Sequence, residues 1–244
     1  MQEGVANRPN RLYRFLRAEH AVQAIEDGCL KVTRLAELND PFDLTTAIAG
    51  LPDDTPRETI DKLERLAIER LNPHVGMVCF CTTVADPAVW THYAQRHSGI
   101  ALGFERRSIK DPAKVIPDFI DVSYRGSGSQ PDSGLRPVID LAEWSRMPHL
   151  EKFTKALSLF GRKAPSWQYE NECRIFVGLK TPCIPRGGMY WYPIIPKDLL
   201  VEVVVGIRCP VEVAYVERIL AVNGFSRAEV KRAKASRTKY EVDI

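Results

Sequence analysis

Two carboxylates and a guanidinium occupy alternate positions in Trp167-Gln-Tyr-Glu170-Asn-Glu172-Cys-Arg174, and the apolar run Ile175-Phe176-Val177 follows at once. A β-branched and aromatic run of this kind reads as a buried strand. Side chains alternate along a strand, so Glu170, Glu172 and Arg174 should share one face. Carboxylates entering a core are costly unless they are paired or used. Arg174 neutralises one of them, which leaves the other without a structural partner nearby and available for chemistry on a substrate. The plainer reading of Glu-x-Glu-x-Arg is a half-exposed strand with local charge pairing.

The remaining polar candidates sit at the ends or on the faces of apolar elements. Arg11 to Leu16 reads as a first strand carrying Tyr13 and Arg14, and Val75 to Cys81 as a strand ending in Thr82-Thr83. Asp86-Pro87 starts a helix through Trp90-Thr-His92-Tyr93-Ala-Gln-Arg-His97, closed by Ser98-Gly99. Trp90, Tyr93 and His97 recur at helical spacing and line one face, while His92 points to the side. Each also has a purely structural reading. Trp90 and Trp167 suit core anchors, Tyr93 a core aromatic with a satisfied hydroxyl, and His97 a partner of the helix C-terminus. Arg14 could simply pair with Glu170 or Glu172.

Further elements must position these groups. Glu19 to Asp27 has helical spacing and stops at Gly28, with a strand at Leu30 to Val32. Asn39-Asp40-Pro41-Phe42-Asp43 is a turn. Thr55-Pro56-Arg57-Glu58 opens a helix that Asn72-Pro73 ends. Ile100 to Phe104 and Val115 to Tyr124 read as strands, 125–137 as a long Gly/Ser/Pro loop, and 138–162 as helical. Strands over Tyr190 to Ile195 and Val201 to Val205, a helix from Val211 to Asn223 and a terminal strand complete the chain. With no repeat or composition break, residues 1–244 read as one α+β domain of mainly antiparallel strands with peripheral helices.

Apolar content of 45% and charged content of 27% suit an ordinary globular protein with a sizeable core. The sequence gives no sign of a membrane span or signal peptide, and a cytoplasmic location is expected. The six cysteines lack a disulfide or zinc-knuckle pattern, so reduced thiols and no structural metal are expected. A net charge of +3 does not itself argue for nucleic-acid binding, although Arg227, Lys231, Arg232, Lys234, Arg237 and Lys239 cluster near the end.

Five motifs occur in order: Leu12-Tyr-Arg14-Phe, Asn39-Asp-Pro-Phe42, Cys79-Phe80-Cys81, Trp90-x-His92-Tyr93-x-x-x-His97-x-Gly99, and Lys163-x-x-x-Trp167-x-x-Glu170-x-Glu172-x-Arg174. Together they resemble a widespread bacterial family known as a domain of unknown function. Their order also resembles the ADP-ribosyltransferase fold, in its version with an Arg, a Ser-Thr-Ser element and a Glu-x-Glu. That resemblance implies a split sheet and NAD as a substrate. It implies that Arg14 holds the NAD phosphates, that Thr82 and Thr83 support the nicotinamide ribose, and that Tyr13 or Tyr93 stacks on nicotinamide. Glu172 would be the catalytic carboxylate, with Glu170 beside it in the Glu-x-Glu; His92 is a candidate on its own account, for an accessible polar role. The acceptor would be a protein or nucleic acid, with a toxin or antiphage effector as the biological setting. Here the hydroxyl element is Cys81-Thr82-Thr83, a departure from Ser-Thr-Ser, and His92, Tyr93 and His97 have no fixed place in that template. Two other readings stay open: a hydrolase of another class using His92, His97 and the carboxylates, and a non-catalytic nucleic-acid-binding module.

Overall fold

The structure, a computed structural model, describes residues 10–40, 43, 47–49, 54–107, 119–124, 138–140, 146–148, 161–180 and 182–244. The apolar alternation of the N-terminal stretch forms β1 (Arg11–Leu16), followed by α1 (Ala18–Asp27) and β2 (Cys29–Arg34). Gly28 ends α1 at φ +63°, a left-handed position that glycine adopts without a Cβ clash. After β3 (Ala47–Ala49) and α2 (Arg57–Leu71) comes β4 (Val75–Cys81), then α3 (Pro87–Tyr93), which Asp86 caps by accepting from the Ala88 and Val89 amides. β5 (Ile100–Glu105), β6 (Ile120–Asp121), β7 (Val138–Asp140), β8 (Glu172–Gly178), β9 (Ile184–Arg186) and β10 (Met189–Pro193) follow. The chain closes with β11 (Leu200–Val205), α4 (Val213–Val222), β12 (Glu229–Arg232) and a small ribbon of β13 (Lys234–Ala235) and β14 (Val242–Asp243).

The main sheet runs β12-β11-β5-β1-β4-β2-β10-β9, with β8 on the other edge of β4 and β6 beyond it. Pairing within it is antiparallel except for β11 with β12. Strand β4 is the hinge of this arrangement. One edge pairs along its whole length with β8, from Val75↔Gly178 to Cys81↔Glu172. The opposite edge is divided: β2 takes Gly76 and Met77, and β1 meets it only at Tyr13↔Cys81. The sheet therefore forks between β1 and β2, which α1 connects. The Arg14 side chain fills the fork, its Nη1 donating 2.8 Å to the Cys79 carbonyl.

Two cores lie on opposite faces. On one, α1 and α4 pack Ile25, Val216 and Leu220 against Leu12, Val78, Leu102 and Cys173. On the other, α3 packs Val89 and Trp90 against Phe15, Cys81, Ala101 and Val204. Among the described residues no helix is long and apolar enough to cross a membrane. All six cysteines are free thiols, with Cys79 half-buried and the other five buried.

Several expected elements differ. The helix through His97 stops at Tyr93, and Gln95, Arg96 and His97 all adopt left-handed φ values of 50°, 55° and 68°. This tight reversal returns the chain to β5 and is pinned by Gly99 N donating to Ala94 O and Arg208 N to His97 O. The stretch read as helical over 138–162 opens instead with strand β7, which pairs with β3. The strand expected over 115–124 is limited to Ile120–Asp121 among the described residues. The long loop at 125–137 lies outside the described residues.

Gly99 has a steric reason to be glycine, because a Cβ there would lie 2.1 Å from the Leu16 carbonyl oxygen, while one at Gly178 meets nothing within 4 Å. Gly99→Ala should destabilise the fold by about 2 kcal/mol or more, as forced overpacking does. Gly178→Ala should leave the thermal midpoint close to the parent's. Equal effects in a thermal melt would contradict this packing.

Candidate functional site

The Glu-x-Glu segment is built from two elements instead of one strand. A 3-10 helix, Pro165–Glu170, presents Trp167, Tyr169 and Glu170, and Asn171 reverses the backbone at φ 42° before β8 begins. Asparagine tolerates that left-handed conformation better than most residues. Glu170 and Glu172 still converge, because both approach the Lys163 ammonium, at 2.7 and 3.5 Å. Lys163 is held by its own backbone: its amide donates to the Ser123 carbonyl, beside a bridge between Ser123 and Arg162.

The two carboxylates have different surroundings. Arg174, fully buried, grips Glu172 with Nε and Nη2, both at 2.8 Å, and grips Asp43 through Nη1 at 2.8 Å and Nη2 at 2.7 Å. Paired forks of this kind are strong and directional. Burial, the largest single effect, pushes the Glu172 carboxyl up, but Arg174, Lys163 and the Cys79 thiol together outweigh it and hold it at about 2. Glu170 is also buried, and its oxygens meet two separate partners: the Tyr93 hydroxyl donates to one and Lys163 to the other. Burial pushes Glu170 above the ordinary carboxylate range, against the opposing pull of Lys163 and Tyr93. Burial and the bond to Glu170 push the Tyr93 phenol up as well, so it stays a donor. The Asn39 amide reaches the same hydroxyl at 3.5 Å. Three carboxylates thus face two cations in this cluster, and burial raises the proton affinity of Glu170.

The structure brings Tyr93, Glu170 and Glu172 together and sets His92 on their rim, exposed, with its ring 6.0 Å from Tyr169. Tyr13 shares the face of Glu172 through the row Glu172–Cys81–Tyr13, but its ring passes over Gly103 and its hydroxyl donates 2.7 Å to buried Glu202. Burial and that bond push the Tyr13 phenol up to about 12. Arg14 alternates with Tyr13, on the side of Leu12, and its expected ion pair with Glu170 or Glu172 does not form; among the described residues it makes no salt bridge. Its charge still bears on the Cys81 thiol, together with those of Glu172, Glu170 and Lys163. Thr82 sits where its amide donates to the Asn171 carbonyl, and the Thr83 hydroxyl accepts from the Ala85 amide in a local turn. His97 stacks on Trp90 with rings 8° from parallel, away from the carboxylates.

Alternation along a strand leaves one of the two carboxylates, without saying which, lacking a partner; Lys163, from within the same motif, bonds Glu170 and also approaches Glu172. Asp43 was visible only as part of a turn, since its pairing with Arg174 spans 131 positions. The basic C-terminal stretch is largely matched within the chain: Arg227 pairs with Glu105, Lys231 with Glu202, Lys239 with Glu241, and Arg232 donates to three carbonyls. Among the described residues, no group of three His, Cys, Asp or Glu side chains is arranged to hold a metal ion.

Removing the buried guanidinium strands two carboxylates, so Arg174→Met should cost about 3–5 kcal/mol. The pH dependence follows from Glu172. Its carboxyl titrates near 2 in the fold against an ordinary value of 4.5. The unfolded chain therefore binds more protons in that window, and this contribution is present above 4.5 and lost as pH falls toward 2. Urea midpoints measured across that range should fall with pH in the parent and lose that component in Glu172→Gln. A parallel fall in both would contradict the assignment.

Residues 89–175 match the family described as "Protein of unknown function (DUF2971)", a stretch that holds Tyr93, Lys163, Trp167, Glu170, Glu172 and Arg174. No curated protein and no solved structure matches the chain.

Proposed function

We propose that the chain is an NAD-consuming ADP-ribosyltransferase-like enzyme in which Glu170 is the carboxylate that works on the substrate and Glu172 is its structural support. The observation that carries this reading is the contrast between the two carboxylates. Glu172 is fixed on both oxygens by one guanidinium, whereas Glu170 is held by a hydroxyl and an amine, and a substrate hydroxyl can replace the first of these. Arg14 lies across the sheet from this pair, on the side of Leu12, and bonds the Cys79 carbonyl, so the phosphate-holding role expected of it adds nothing to this reading.

Cleavage of the nicotinamide glycosidic bond develops oxocarbenium character on the ribose. A carboxylate hydrogen-bonded to the ribose 2′-hydroxyl stabilises that charge, and its effect is largest where water is excluded. Glu170 meets the requirement when the ribose hydroxyl displaces the Tyr93 hydroxyl from one of its oxygens. Lys163 then keeps Glu170 and Glu172 from repelling each other, and Arg174 with Asp43 fixes the depth of the pair. A second reading has its own support. The Tyr93–Glu170–Lys163 trio can move a proton without NAD, as a hydrolase of another class would require.

Nicotinamide release from NAD separates the two readings and tests the division of labour. Glu170→Gln keeps the shape and should reduce turnover about a hundredfold or more, with a smaller drop in thermal midpoint than Glu172→Gln because Lys163 keeps Glu172 and Asp43 beside it. Glu172→Gln should chiefly destabilise the fold, because Arg174 loses a charged partner. No nicotinamide release by the parent would overturn the NAD reading. Equal turnover in the parent and Glu170→Gln would overturn the role of Glu170.

A further inference from the structure

The aromatic residues around Glu170 form a continuous set of rings. Trp167 and Tyr169 lie with centroids 6.0 Å apart and planes tilted by 33°, and Tyr169 and His92 with centroids 6.0 Å apart and tilted by 39°. His92 in turn lies 6.4 Å from Tyr93, whose hydroxyl bonds Glu170. Trp167 and Tyr169 are half-buried and His92 is exposed. Tyr169 packs on the core beneath α3, but Trp167 belongs to neither core cluster. Its ring instead carries the Lys163 ammonium 4.5 Å from the centroid, the same ammonium that bonds Glu170. A large aromatic outside the core, one step from a proton-accepting carboxylate, provides a π surface where a substrate must arrive.

We propose that Trp167, Tyr169 and His92 form a ledge that stacks an unpaired nucleobase, so that the acceptor of the transfer is single-stranded nucleic acid. The inference rests on the reading of Glu170 as the working carboxylate. Three ring faces in series suit a flat ring, and base stacking on aromatics tolerates any base. A cationic acceptor side chain fits less well, because Lys163 already supplies the cation that Trp167 binds. His92 adds a ring nitrogen at the exposed edge, where the rim of a stacked base presents hydrogen-bonding groups. In the transfer, an acceptor nitrogen or hydroxyl bonds the ribose C1′ as the bond from C1′ to nicotinamide breaks. The bonding pair leaves with nicotinamide, and the acceptor proton passes to Glu170.

Fluorescence anisotropy of a labelled single-stranded oligonucleotide with the full chain, in the absence of NAD, tests the ledge. Trp167→Leu and Tyr169→Leu should each weaken binding about 5- to 100-fold, the range that loss of one stacking ring gives. Trp167→Phe should bind close to the parent, and the same sequence as a duplex should bind more weakly. His92→Ala, at an exposed position, serves where a core-contacting variant fails to fold, and it too should weaken binding. A parent that does not bind the oligonucleotide would overturn the proposal. So would leucine and alanine variants that bind like the parent, or duplex bound as well as single strand. Nicotinamide release is read separately, so the ledge and the NAD reading can each fail alone.

Discussion

The site depends on one buried guanidinium. Arg174 has no exposed surface, and burying such a charge is tolerable only with excellent geometry. Glu172 and Asp43 provide it, one from the start of β8 and one from a turn 131 positions earlier. Because β8 is paired along its length with β4, this clamp ties the turn to the centre of the sheet. It also fixes which way Glu172 faces. The rest of the cluster, Lys163, Glu170 and Tyr93, is arranged around a negative charge gripped on both oxygens.

That arrangement divides two chemically similar carboxylates. They lie two positions apart and share an ammonium, and burial is the largest effect on each; it prevails for Glu170, whereas at Glu172 Arg174, Lys163 and the Cys79 thiol together outweigh it. Their proton affinities are pushed in opposite directions, which is how paired carboxylates come to hold different roles. The left-handed Asn171 makes this division geometrically feasible. A straight strand through 170–174 would place both side chains in line over β4, whereas the turn lifts Glu170 out to Tyr93 and the aromatic rim.

Much of the fold was legible in local pattern. The bounds of β1 and β4, the Gly28 stop and the Asp86 cap all follow from periodicity and capping chemistry within a few residues. The expected α+β architecture with a mainly antiparallel sheet is present, and the fork at β4 explains the fate of Arg14. Its neighbour Cys79 has a carbonyl that falls between the segments paired by β2 and β1, and the side chain supplies the missing donor. No spacing rule encodes that. α3 ends before its helical spacing does, because three consecutive non-glycine residues adopt left-handed φ values, which side-chain sterics disfavour and tertiary contacts impose. Within the site, Arg174 was legible as the partner of one of the two carboxylates, but the spacing does not say that it is Glu172. Its Asp43 partner was not legible, because a contact across 131 positions leaves no local signature.

The most direct measurement is a pH titration of the side-chain carboxyl carbons by NMR on isotope-labelled protein, with the two glutamine variants used for assignment. The Glu170 resonance should titrate above the ordinary carboxylate range and move when NAD is added. The Glu172 resonance should stay that of a carboxylate until the pH approaches 2 and should respond little to NAD. A Glu172 that titrates in or above the ordinary range, or that responds to NAD while Glu170 does not, would contradict the assignment of Glu170 as the working carboxylate.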